Sequence, residues 1–215
     1  MNLTSSDDEF YSYIRDIVHH PVVLQMKKYP HHGKTSCYQH CLNVSYYNYR
    51  ICKFLGWDAR SAARAGMLHD LFLYDWHTHA GETGNHFHGL THPWDALQNA
   101  RKYFPINDLE REMILKHMWP LTVVPPGRKE AFIICITDKY CGSCEKAKEW
   151  KQNKFRLRYP WFMRLLKKVF GNEYHYKDYQ ISSEEAAEVA EFVTLRKRPS
   201  DKWRKGDGKR VRRWK

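Results

Sequence analysis

The chain has 215 residues, 42% hydrophobic and 15% aromatic, which is enough to bury a sizeable core and excludes a disordered protein. Its formal net charge of +12 is unevenly placed: residues 196–215 carry 11 Lys/Arg against Asp201 and Asp207, leaving only +3 for residues 1–195. There is no run of about 18 apolar residues and no charged-then-apolar N-terminal signal, so the reading is a cytoplasmic protein whose cysteines stay reduced.

Taken in order, residues 7–17 have the spacing of a short helix with Phe10, Tyr13, Ile14 and Ile17 inward, broken by His19-His20-Pro21. Tyr29-Pro30-His31-His32-Gly33 reads as a loop from its proline and glycine. Ser36 is a candidate cap for a helix to about Leu55, on which His40 shares an apolar face with Val44, Tyr47 and Ile51, and Gly56 stops it. Asp58 caps the alanine-rich run that follows, and Ala62, Ala65, Gly66 and His69 lie on one side of it. His69 and Asp70 therefore arrive at the end of a small-residue helix that looks buried, where an imidazole and a carboxylate are costly without partners.

A polar, glycine-bearing loop with His77, His79, His86 and His88 comes next, its histidine density suggesting the rim of an active site. Pro93 fits the first position of another helix, with His92 at its start. Asn107 and Glu110 form a capping signal for a helix carrying His117 inward, and residues 128–144 form the next, with an inner stripe of Ala131, Ile134, Asp138 and Cys141. Beyond residue 145 the composition turns basic and aromatic, with helices expected over about 160–170 and 182–195. No strand run stands out. The expectation is an all-α domain over residues 1–195 followed by a mobile basic tail over 196–215, whose charge suits a weak contact with a polyanion such as nucleic acid or an acidic membrane surface.

His40, His69, Asp70, His92, His117 and Asp138 each fall on or near the inward side of a predicted helix or at its mouth. They are separated by 29, 1, 22, 25 and 21 residues, one helix and loop at each long step. Helices packed round one core bring such residues together. Four imidazoles and two carboxylates buried separately would each need compensation; together they compensate one another around ions such as Mn, Fe or Zn. Cys141-x-x-Cys144 has no second pair to complete a zinc site and reads as structural.

These residues carry a resemblance to a known family. Tyr38-Gln39-His40-Cys41-Leu42-Asn43-Val44, Ala65-Gly66-Met67-Leu68-His69-Asp70-Leu71, Thr91-His92-Pro93, Ile114-Leu115-Lys116-His117 and Ile136-Thr137-Asp138-Lys139 resemble the HD-domain superfamily of metal-dependent phosphohydrolases over residues 25–145. The resemblance implies an HD-type helical bundle. His40, His69, Asp70 and Asp138 would hold a first divalent ion, and Asp70 would bridge to a second on His92 and His117. A metal-activated water would attack a phosphate mono- or diester such as a nucleotide, with Asp70 helping to orient it. The family's two-metal signalling members usually continue His-Asp with a glycine and a lysine. Here Leu71-Phe72-Leu73-Tyr74 follows, so a lysine contacting phosphate has to come from elsewhere. Lys34, His86, His88 and Lys139 are the candidates for substrate contact. Two alternatives use the same chain differently: a di-iron oxygenase in the same ligand cage, and a non-enzymatic module binding polyanions through the tail.

Overall fold

The computed structural model describes residues 5–32, 35–84 and 87–150. The expected helices over 160–170 and 182–195 and the basic tail lie outside the described residues, as do Lys34 and His86. The described chain is mostly helical, with eight α-helices: α1 (Ser5–Val18), α2 (Pro21–Leu24), α3 (Cys37–Phe54), α4 (Ala59–Leu68), α5 (Trp76–Thr83), α6 (His88–Tyr103), α7 (Asp108–Lys116) and α8 (Lys129–Trp150). No helix among the described residues is long and apolar enough to cross a membrane.

Local chemistry accounts for the starts of α3, α4 and α7. Ser36 accepts a bond from Gln39 N and Asp58 from Ser61 N, while Asn107 and Glu110 form a reciprocal capping box. Gly56 takes φ +67° after α3, a conformation that costs glycine little.

Four expectations are corrected. The polar stretch after Trp76, expected as a loop, begins with the short helix α5, which carries His77 and His79. The loop before α3 contains a short antiparallel hairpin, β1 (Pro30–His32) with β2 (Thr35–Ser36), preceded by a 3₁₀ turn over Gln25–Lys28. Helix α6 begins at His88 rather than Pro93, so the proline sits in its second turn and His92 lies inside the helix. Helix α8 runs past Cys144, because nothing at residue 145 stops a helix; the shift in composition there is no breaker.

Helix α4 is the hub, packed between α1, α3 and α7 and buried from Ser61 to Leu68. Ser45 Oγ donates to Ala63 O (2.7 Å) and Asn48 Nδ2 to Ala62 O (3.3 Å), drawing α3 tightly onto it. On another side Arg64, 3% exposed, pairs with Glu110 Oε1 (3.1 Å) and Asp16 Oδ1 (2.7 Å) and donates to Tyr13 O.

The α3–α4 crossing passes over Gly66. A Cβ there would meet Ser45 Cα at 2.6 Å, Ser45 N at 2.8 Å and Asn48 Nδ2 at 2.9 Å. Gly66→Ala is therefore expected to destabilise the fold by about 1–3 kcal/mol, although alanine is favoured over glycine in a helix by about 1 kcal/mol. A lowered denaturation midpoint at unchanged slope checks it.

Candidate metal centre

Five helices and the hairpin converge on one buried cluster. His40 sits in the first turn of α3, and His69 and His117 are the C-caps of α4 and α7. Asp70 follows His69 in a turn where Phe72 N donates to Asp70 O, and Leu73 then takes φ 60°, sharply redirecting the chain. His92 comes from the second turn of α6, and Asp138 from the middle of α8.

Three of the imidazoles are anchored in the same way. His69 Nδ1 bonds Gly66 O, His92 Nδ1 bonds His88 O and His117 Nδ1 bonds Ile114 O, each at 2.8 Å. A carbonyl only accepts, so Nδ1 carries the proton in all three rings and, in the neutral form, Nε2 presents a lone pair. Those three Nε2 atoms converge on Asp70. His92 and His117 lie 3.2 and 3.5 Å from its Oδ1, and His69 lies 3.5 Å from its Oδ2.

Lone pairs facing lone pairs repel unless a cation lies among them. His92 Nε2 and His117 Nε2 are only 2.8 Å apart. One proton shared there relieves that contact, but His69 Nε2 and Asp70 Oδ1 remain buried without a hydrogen bond. Each such orphan costs about 1–3 kcal/mol, and a metal ion would satisfy both. The donor set therefore fits divalent metal. Imidazoles fixed through a bond on the far nitrogen are what metal ligation requires.

The electrostatics agree. Burial works against ionisation of Asp70 and Asp138, yet the surrounding histidines hold both carboxyls well below the usual range. Burial pushes His40 down, but facing Glu145 and Asp138 raise it well above the ordinary imidazole value. His117, buried beside His69 and His92, is pushed down to about 3 and is neutral.

All six residues singled out in the sequence meet here: His40 Nε2 lies 3.1 Å from Asp138 Oδ1, and His69 Nε2 is 3.7 Å from the same oxygen. Two further residues join them that sequence reasoning missed. His31 reaches Asp70 Oδ2 (3.2 Å) from β1, and Glu145 reaches His40 Nδ1 (3.1 Å) from α8. A signal for Glu145 existed: it lies four residues beyond Cys141 on the inner stripe. None existed for His31, whose place depends on the hairpin.

Comparison with family models, curated proteins and solved structures finds no match to this chain.

Beside the cluster opens a cavity of about 560 Å³, lined by Asp70, His92, His117 and Asp138 at its floor. Phe72, Trp76 and Met118 supply apolar wall, and His88, Lys139 and Lys146 supply polar groups. Lys139 Nζ donates to His117 O (3.1 Å), which leaves two of its three protons for other acceptors. His88 is held by Tyr74, whose hydroxyl donates to Asp95 Oδ2 (3.2 Å) and lies 3.1 Å from His88 Nδ1. Of the four candidates for substrate contact, His88 and Lys139 thus line the cavity, while Lys34 and His86 are outside the described residues.

Proposed function

We propose that this protein is a metal-dependent phosphohydrolase of the HD-domain type, acting on a phosphate mono- or diester such as a nucleotide. The observation that carries the reading is the way Asp70 divides the cluster. Its Oδ1 faces His92 and His117, and its Oδ2 faces the side where His69, His40 and Asp138 stand. His40, His69, Asp70 and Asp138 would hold one ion, and Asp70, His92 and His117 a second.

When bound, divalent ions of the Mn, Fe or Zn kind would supply a water ionised near neutral pH and positive charge for the phosphoryl oxygens. The chain's own part is to orient and neutralise. Lys139 sits one residue past Asp138 with two protons for a phosphate oxygen, replacing the lysine that does not follow Asp70. Lys146, two helical turns further along α8, offers a second cation. Phe72, Trp76 and Met118 form a surface suited to the flat, apolar face of a base or aryl group. The expected polyanion contact of the tail rests on charge alone and is independent of this chemistry.

The test uses the full chain as purified. Elemental analysis should find one or two transition-metal ions per chain. Hydrolysis of p-nitrophenyl phosphate, bis(p-nitrophenyl) phosphate and a panel of nucleotides should include at least one turned-over substrate. That turnover should vanish on chelation and return with Mn2+ or Zn2+. Turnover indifferent to chelation would overturn the reading, and substrate-dependent O2 consumption by iron-loaded protein would replace it with the oxygenase alternative.

A further inference from the structure

The two side chains that sequence reasoning missed are both buried, His31 at 8% exposure and Glu145 at 4%. We propose that His31 is an additional ligand to the ion held by His40, His69, Asp70 and Asp138, and that Glu145 is the positioning residue for both His31 and His40; this rests on the metal reading above.

His31 and His40 occupy equivalent positions between two carboxylates. His40 and His31 are stacked, with ring centroids 3.6 Å apart and planes at 22°. Each turns its Nδ1 edge to the same carboxylate: His40 Nδ1 is 3.1 Å from both Glu145 oxygens, and His31 Nδ1 is 3.3 Å from Oε2. Each turns its Nε2 edge to a carboxylate at the centre, His40 to Asp138 Oδ1 (3.1 Å) and His31 to Asp70 Oδ2 (3.2 Å).

A neutral imidazole has one N–H. Given to Glu145, it leaves Nε2 with a lone pair aimed at a carboxylate oxygen, a repulsive contact in both rings. Protonating His40 alone relieves its contact with Asp138 and leaves that of His31 with Asp70, and protonating both rings would stack two buried cations 3.6 Å apart over a single shared carboxylate. A metal ion beside the two Nε2 atoms and the Asp70 and Asp138 oxygens removes both difficulties. Glu145 then does for two histidines what a buried carboxylate commonly does for one: it fixes the tautomer and raises ligand basicity. If His40 is a ligand on these grounds, His31 is one too. The ion would then have five protein donors, more than the four of a tetrahedral zinc site, which favours a metal that accepts higher coordination.

The experiment titrates the full chain, stripped by chelation, with Co2+, reading affinity by equilibrium dialysis and coordination by the visible absorption bands. His31→Ala is expected to lower the affinity for one of the bound ions by more than the roughly 10–100-fold that losing an outer-shell partner costs and to change its band. Added imidazole should restore both, because it can enter the space the side chain vacates. Glu145→Gln should weaken the same ion by less than His31→Ala does, since an amide oxygen still accepts an N–H.

Wild-type affinity and bands in His31→Ala would overturn the ligand role, as would a loss that imidazole fails to restore, which marks a structural role. Wild-type behaviour of Glu145→Gln would remove its orienting role. Failure of the unaltered chain to bind Co2+ at all is a separate result, and it would overturn the metal reading itself.

Discussion

Asp70→Asn is expected to empty the whole centre, releasing both ions together and lowering phosphoester turnover by about 10³-fold or more, equivalent to some 4 kcal/mol of transition-state stabilisation. The substitution keeps the shape and removes the charge. Asp70 is 4% exposed, and its two oxygens have the Nε2 atoms of four imidazoles within 3.5 Å: His31 and His69 on Oδ2, His92 and His117 on Oδ1. An amide can offer one oxygen at best and turns N–H protons toward lone pairs or an ion on its other side. Elemental analysis beside steady-state kinetics checks the result. An Asp70→Asn protein that keeps the full metal complement would show that the two halves of the cluster do not depend on a shared carboxylate.

Much of this centre was legible because its strongest signals are local. Ser36, Asp58 and the Asn107–Glu110 pair announce helix starts through bonds that span three residues, and such bonds are written in contiguous sequence. Helical spacing then placed His40 and Asp138 inward, and the order of the chain did the rest. Proline misled. Pro93 suggested a helix start, whereas α6 tolerates it in the second turn, where the missing N–H would have bonded back to Gly89 in the first turn. His92 accordingly sits inside a helix, with a carbonyl four residues back to fix its ring.

What escaped notice depends on distant partners. A hairpin of three residues against two has no alternation to read, so nothing marked His31 as different from its neighbour His32. Its place is set by Glu145, 114 residues away. Arg64 stands in an alanine-rich helix where a charge suggests solvent, yet it is buried because Asp16 and Glu110 come from two other helices to meet it. Tertiary pairing of that kind cannot be read from a window of neighbouring residues.

His117→Ala is expected to act on one half of the centre only. His117 is 1% exposed, and its Nε2 lies 2.8 Å from that of His92 and 3.5 Å from Asp70 Oδ1. It is far from the Glu145 edge of the cluster in bonding terms: none of its polar contacts involves His31 or His40. Removing it should cost one bound ion of two and leave the other. Turnover should fall about 10²–10³-fold, the scale seen when one preorganised electrostatic contact to the reacting group is lost.

The thermal signature should divide in the same way. An ion at 100 times its dissociation constant stabilises the folded chain by about 2.7 kcal/mol. Metal should therefore raise the melting temperature of the unaltered chain by more than that of His117→Ala, while His117→Ala should still respond. His92→Ala should match it, and the double variant should add little, because both side chains would serve one ion. If His117→Ala keeps both ions and full turnover, the second ion position does not exist and the centre works with the ion of His40, His69, Asp70 and Asp138 alone.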